Sequence, residues 1–404
     1  QQALDHLLSN AKAVGESETV AMQAALGRVL AENVNSLVDV PPLDNTSMDG
    51  YAVRTADTQT PGSLLKIAQR IPAGSVGTQL EPGTAARIFT GAPVPPGADA
   101  VVMQEDCAIP ESSGDQVRVN IAPTSGQWIR RRGEDLTAGK VALNAGTFLR
   151  PQELGVAASA GLTHLNVKRK VRVAAFFTGD ELSLPGEPLK PGGIYNSNRD
   201  TLLACIKSLG CDATDFVIVP DSLEATKETL RKASKDHDLI ITSGGVSVGE
   251  EDHIKPAVTA EGRLDLWQIA IKPGKPLAFG AVRNSSESKD GETWFIGLPG
   301  NPVSSFVTFL LFVRPFILKL QGRHTGMPQS YPMRADFDWL KGDRRNEFLR
   351  VKINAQGGLD LFPNQSSGVL TSASWGDGLV DCPPGQAFKA GDMVKYIPFN
   401  ALLS

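Results

Sequence analysis

Five short segments of the 404-residue chain combine turn-forming residues with groups that can carry or hold charge. They are Thr178-Gly179-Asp180-Glu181, Pro220-Asp221, the run from Ser243-Gly244-Gly245 through Ser247 to Asp252, Lys272-Pro273-Gly274-Lys275-Pro276, and Leu298-Pro299-Gly300-Asn301-Pro302. Paired glycines such as Gly244-Gly245 leave backbone N–H groups open to an anion. Gly300-Asn301 ahead of Pro302 suits the start of a helix, where further N–H groups are free. Such a helix end contributes about 0.3–1 kcal/mol. A lysine about 4 Å from an anion contributes up to ~4 kcal/mol at an effective dielectric near 20. Lys272 and Lys275, held in a Pro-Gly turn, are therefore expected to dominate anion binding. Glu181, Asp221 and Asp252 would repel a phosphate unless a cation stands between them, and Mg²⁺ commonly takes one or two carboxylates plus phosphate oxygens and water. Together the segments point to a Mg²⁺–phosphate ligand. The plainer alternatives are an N-cap role for Asp221, a helix-start charge for Asp252 and ordinary turns at the glycines.

These segments need elements to hold them. Each follows a short apolar run: Val171–Phe177, Asp215–Val219, Asp238–Thr242, Leu266–Ile271 and Trp294–Ile296. Runs that are apolar throughout, alternating with helical stretches at 199–209 and from Asp221 to Lys235, predict a parallel sheet buried on both faces. Ligands bind outside the carboxyl ends of such strands, which is where all five segments fall. Asn198 is the expected N-cap of the first helix, and Asp221 with Glu224 a capping box for the second. A long helix is expected over 302–320, ending at Gly322. Residues 1–35 read as two helices, the second from Ser17 to Ala31. Residues 39–139 read as a β-rich module and 323–404 as a small separate β module. Residues 284–292 read as a polar loop.

Composition narrows the class. Lys plus Arg (40) and Asp plus Glu (44) give a net charge of −4, which argues against a generally basic nucleic-acid coat, so Arg130-Arg131-Arg132 reads as a loop face or phosphate contact. Four cysteines, none in a C-x-x-C, support neither a disulfide framework nor a zinc site and fit a reducing cytoplasm. The most apolar run, Phe306–Val313, is far short of the ~20 residues that span a bilayer. No P-loop and no G-x-G-x-x-G after a strand is present.

Further motifs accompany the five: Pro42-Leu43-Asp44-Asn45-Thr46-Ser47-Met48-Asp49-Gly50-Tyr51-Ala52, Ile88-Phe89-Thr90-Gly91-Ala92-Pro93, Arg131-Arg132-Gly133-Glu134-Asp135 and Arg345-Asn346-Glu347-Phe348-Leu349-Arg350. Together they resemble the molybdopterin molybdenumtransferase family (MoeA, homologous to the C-terminal domain of gephyrin), over nearly the whole chain. The resemblance implies insertion of molybdate into adenylated molybdopterin, with Mg²⁺ assisting and AMP released. It implies an elongated homodimer whose β-rich module projects toward the active cleft of the other subunit. The implied parts are an N-terminal helix (1–19) packing on the α/β domain, a linker domain (20–38 and 140–170), the β-rich module (39–139), an α/β molybdopterin-binding domain (171–322) and a C-terminal β-barrel-like module (323–404). By matching positions it puts Asp49, Thr90 and Asp135 on the module, and Glu181, Asp221, Asp252, Lys272, Lys275, Pro299 and Pro302 on the α/β domain. Catalytic roles fall to Asp49, Asp135, Lys272 and Lys275, and metal binding to Glu181, Asp221 and Asp252. Substrate contacts fall to Thr90, Ser243, Gly244, Gly245, Ser247, Pro299, Gly300, Asn301 and Pro302. A C-terminal serine also contributes; within Asn364-Gln365-Ser366-Ser367-Gly368 the choice is Ser367. Exchange with a molybdopterin adenylyltransferase and with acceptor enzymes would follow, without nucleic acid or membrane. Two rival readings share the residues: an enzyme that adenylates molybdopterin, and a non-enzymatic scaffold like gephyrin.

Overall fold

The computed structural model describes residues 2–111, 114–246, 253–274, 276–284, 291–323 and 328–403, without the side chains of Leu266 and Trp267. Ser247, Asp252, Lys275 and most of the 284–292 loop therefore lie outside the described residues. The chain divides into two compact units, one of 1–18 with 168–404 and one of 19–167.

The first unit is built on a six-stranded sheet. Its order is Asp212–Val219, Arg172–Thr178, Leu239–Ser243, Glu292–Leu298, Pro276–Arg283, Gly262–Gln268. The first four strands run parallel, and Pro276–Arg283 runs antiparallel to both its neighbours, so the sheet is mixed rather than parallel throughout. Val173, Ala174, Ala175, Phe176 and Phe177 are all fully buried, as the unbroken apolar run requires when helices cover both faces. After the Arg172–Thr178 strand the chain goes first to one side of it and later to the other. The ends of that strand and of Leu239–Ser243 therefore flank the switch point, where crevices open in such sheets.

The helix Gln2–Asn10 buries Leu7 in the same core, and His6 meets Phe279 edge-on at 5.9 Å. The 302–320 helix contains a π segment, Phe309–Val313, just before Pro315. Pro315 has no N–H to give and its ring crowds the preceding turn, and the wider turn accommodates both. Long and apolar enough to cross a membrane, this 19-residue helix is mostly buried in the core instead.

A second sheet in this unit has the order Ile271–Lys272, Asn346–Ile353, Gly378–Cys382, Met393–Pro398, Tyr331–Arg334, with Leu359–Leu361 on Asn346–Ile353. Ile271–Lys272 is thus a strand of this sheet and not an extension of Gly262–Gln268, as the apolar pattern had suggested.

Two helix starts shift from their expected caps. Asn196, not Asn198, caps Ser197–Ser208 by accepting from Arg199 N–H, and Ser222, not Asp221, caps Leu223–Ser234 by accepting from Ala225 N–H.

The second unit carries another six-stranded sheet, ordered Ala100–Met103, Gly50–Val53, Thr84–Ile88, Ser63–Ile71, Gln116–Val119, Cys107–Ala108. The helix expected from Ser17 to Ala31 is absent: Ser17–Ala21 is a strand and Met22–Ala24 a single 3-10 turn. Thr19 and Val20 favour a strand, and Gly27 adopts φ +75°, which ends any helical path. Arg131 and Arg132 are paired with Asp44 and Asp39. All four cysteines are free; burial pushes the Cys205 and Cys211 thiols up to about 12.

The buried Leu7 side chain should be the anchor of the first helix. Leu7→Ala is expected to cost about 2–5 kcal/mol, read as a lower urea midpoint; an unchanged midpoint would contradict the packing.

Candidate active site

A cavity of about 770 Å³ opens at the carboxyl ends of the mixed sheet. In the sheet order given above, Thr178 and Glu181 line it at the end of the second strand, Ser243 and Gly244 at the end of the third, and Pro299, Gly300, Asn301 and Pro302 after the fourth. Lys272, Pro273 and Gly274 form another wall, with Arg345, Gln365, Ser366 and Ser367 completing it. Gly245 and Asp221 are not among the lining residues. Asp221 follows Asp212–Val219, the outermost strand of the sheet, so its turn sits one strand further from the switch point.

The turn after Ser243 needs its glycine. Gly244 has φ +99°, and a Cβ there would lie 2.4 Å from the Thr178 carbonyl oxygen. At Gly179, φ +144°, a Cβ would overlap the Glu181 carboxylate, 2.5 Å from Oε2. The acid therefore folds back over the glycine that precedes it by two residues.

Asn198 ties three segments together. Its Nδ2 donates to Ser243 Oγ at 2.8 Å and to the Gly300 carbonyl at 2.7 Å, while Ser243 Oγ donates to the Pro299 carbonyl at 2.9 Å. The helix beginning at Pro302 is less open to an anion than its sequence suggests. Val303 N–H already donates to the Ser367 carbonyl, 3.0 Å, which docks the serine loop onto the helix start. The loop is held from behind by Arg350, which is almost wholly buried. Arg350 donates to Ser372 Oγ, Phe348 O and Ser366 O, and burial lowers its guanidinium to about 10.

The basic wall has its own support. Lys272 Nζ lies 2.9 Å from Glu347 and 3.3 Å from Asp343. Arg345 donates to Asp343 from Nε at 3.2 Å. The Glu347 hydrogen bond, opposed by partial burial, holds Lys272 above its usual range, and the Arg345 contacts hold Asp343 well below the carboxylate range. Among the described residues no three His, Cys, Asp or Glu side chains come together as a metal cluster.

In the second unit, the register that sets Gly50 opposite Ile88 brings Asp49 and Thr90 together. Thr90 donates to Asp49 Oδ1 from N–H at 2.7 Å and from Oγ1 at 2.8 Å, and the backbone bond is the main reason the carboxyl sits below its usual range. Asp135 is exposed, with its N–H bonded to the Val40 carbonyl at 2.9 Å.

Asn198, Arg345 and Asn196 line the cavity although the strand-end rule did not select them. Arg345 stands in the Arg345–Arg350 motif, and Asn198 lies beside the helix start that Asn196 caps, so the available signal is a polar side chain without its simplest local role.

Fold and site define a class: a two-unit protein whose mixed α/β sheet opens onto a polar, partly cationic cavity fit for a small multiply charged ligand. Residues 1–161 match the family described as MoeA N-terminal region (domain I and II), 174–319 a probable molybdopterin binding domain, and 332–399 the MoeA C-terminal region (domain IV). The chain is 39% identical to a molybdopterin molybdenumtransferase of Haemophilus influenzae, covering 100% of this chain and 98% of the relative. It is 36% identical to one from Nostoc sp., over 92% and 86%. A crystal structure of the molybdopterin biosynthesis moeA protein from Pyrococcus horikoshii shares 29% identity with a TM-score of 0.84, covering 98% of each chain. The chain belongs to the MoeA family, the molybdopterin molybdenumtransferases.

Gly244→Ala should cost at least ~1 kcal/mol through strain at positive φ and should distort the Thr178 turn, lowering the urea midpoint; wild-type stability would contradict the close approach. The charged wall has a definite pH window. Lys272, raised, contributes pairing that is complete below the free-lysine value of about 10.4 and lost as pH rises through its higher folded value. Asp343, lowered, contributes pairing present above about 3.9 and lost as pH falls through its folded value. The Lys272 Cε resonance should therefore stay flat from about pH 5 to 9; a titration step inside that window would contradict the pairing.

Proposed function

We propose that the chain inserts molybdate into adenylated molybdopterin and releases AMP, with Mg²⁺ assisting, as a step of molybdenum cofactor biosynthesis. The observation that carries this reading is the cavity itself, where Lys272 and Arg345 on one wall face the Ser243-Gly244 and Pro299–Pro302 turns on others. Membership of a family whose named relatives are molybdopterin molybdenumtransferases supports the same conclusion. Lys272 and Arg345 take the oxyanion. Ser243, Gly244, Gly300, Asn301 and the Gln365–Ser367 loop orient the pterin and its phosphates.

For Mg²⁺ the donor set among the described residues is one lining carboxylate, Glu181, with substrate phosphates and water, which is a set the ion accepts. Asp221 and Asp252 remain proposed partners of that ion. Mg²⁺ would supply neutralisation of phosphate charge and polarisation of the bond to the AMP leaving group. The chain's own contribution is electrostatic: donors fixed before the reaction, aimed where negative charge gathers. Asp49, Asp135 and Lys275 belong to the same proposal as catalytic groups, with Thr90 holding the Asp49 carboxylate and Ser247 and Gly245 as substrate contacts. A homodimer, the five-part division of the chain and a cytoplasmic location complete it. Four free cysteines suit that compartment.

Removing one fixed donor costs about 10²–10³ in rate. Lys272→Ala and Asp49→Ala should each slow molybdate-dependent AMP release by roughly that factor, measured with adenylated molybdopterin; near-normal turnover in both would discard the reading.

A further inference from the structure

The two cations that line the cavity among the described residues, Lys272 and Arg345, are both paired with acids of the chain. Glu347 is almost fully buried, at 2% exposure. Its carboxylate accepts from Lys272 Nζ at 2.9 Å, from Trp339 Nε1 at 3.0 Å and from Asp343 N–H at 3.0 Å. Asp343 accepts from Arg345 N–H at 3.0 Å, from its Nε and a terminal nitrogen at 3.2 Å each, and from Lys272 Nζ at 3.3 Å. The backbone sets the pairing, because Lys272 and Glu347 are direct partners in the parallel register of Ile271–Lys272 with Asn346–Ile353. Lys272, Arg345, Asp343 and Glu347 sum to no net charge, with Asp343 shared between the two cations.

A wall built only to attract anions would leave its cations unpaired. Here part of the field is cancelled, and a rigid geometry of N–H donors remains. We propose that Asp343 and Glu347 are positioning residues for the oxyanion. They fix Lys272 and Arg345 about a shared carboxylate and offset the charge of that pair, so that the wall selects among tetrahedral oxyanions by the spacing of its donors rather than by general attraction for anions. The inference rests on the reading of this cavity as the molybdate site. Glu347 acts through Lys272 and the Trp339 indole; Asp343 sets the distance between the two cations.

The test is calorimetric titration of the full chain with molybdate, sulfate and inorganic phosphate. Asp343→Asn adds one net positive charge and loosens Arg345. Sulfate and phosphate should bind about tenfold tighter, while molybdate gains at most a small part of that, so discrimination falls. Glu347→Gln keeps the shape but leaves Lys272 held by Asp343 alone, and should weaken molybdate about tenfold. A merely structural role for the acids would not move the ratio of molybdate to sulfate affinity. That ratio within twofold of wild type in Asp343→Asn overturns the inference, and this partly exposed position decides the matter if Glu347→Gln fails to fold. Lys272→Ala separates the two levels. Weakened molybdate binding there with an unchanged ratio in Asp343→Asn removes only the inference. Wild-type binding in Lys272→Ala, or no molybdate binding by the wild-type chain, removes the reading of the cavity as well.

Discussion

Lys272 is where the constraints of the first unit meet. Its backbone belongs to a two-residue strand of one sheet, its neighbours lead into the other sheet, and its ammonium ends beside two carboxylates on the cavity wall. An ammonium half in protein and half in water is costly unless it is paired. The buried Glu347 pairs with it, and the indole of Trp339 and the Asp343 N–H satisfy what that acid has left over. The wall keeps its shape because each polar group in this chain of contacts has a partner.

The rest of the cavity follows from the sheet. Apolar strands buried on both faces cannot carry functional side chains along their length, so the chemistry collects at their ends. Two strand ends flank the switch point, and Asn198 binds the turns that follow the third and fourth strands through one amide. The serine loop arrives from the other sheet and is docked by the Val303 N–H and held from behind by Arg350. The family comparison points to molybdopterin-related chemistry, and the polar lining of the cavity suits a small charged ligand.

Much of this was legible in the chain. Runs such as Val171–Phe177 and Leu239–Thr242 have no other comfortable place than a covered sheet, and the residues after them mark the cavity; Glu181, Ser243, Gly244, Lys272, Pro299, Gly300, Asn301, Pro302 and Ser367 all line it. What escaped depends on register and strand order, which local pattern does not contain. Asp221 looked equivalent to Glu181, but its strand is the sheet edge. The pairing of Lys272 with Glu347 joins positions 75 apart through a two-residue bridge. Asn198 was read as a cap because Asn-Ser-Asn offers two cap candidates, and the structure spends one on the helix and the other on the site. The helix expected from Ser17 to Ala31 gives way to a strand because Thr19 and Val20 prefer one and Gly27 takes a positive φ.

The most direct measurement is a crystal structure of the chain soaked with adenylated molybdopterin, Mg²⁺ and molybdate. Electron-dense oxyanion within hydrogen-bond reach of Lys272 and Arg345, with the pterin phosphates against the Ser243-Gly244 turn, is the expected result. Molybdate bound elsewhere on the chain while this cavity holds only water would contradict it.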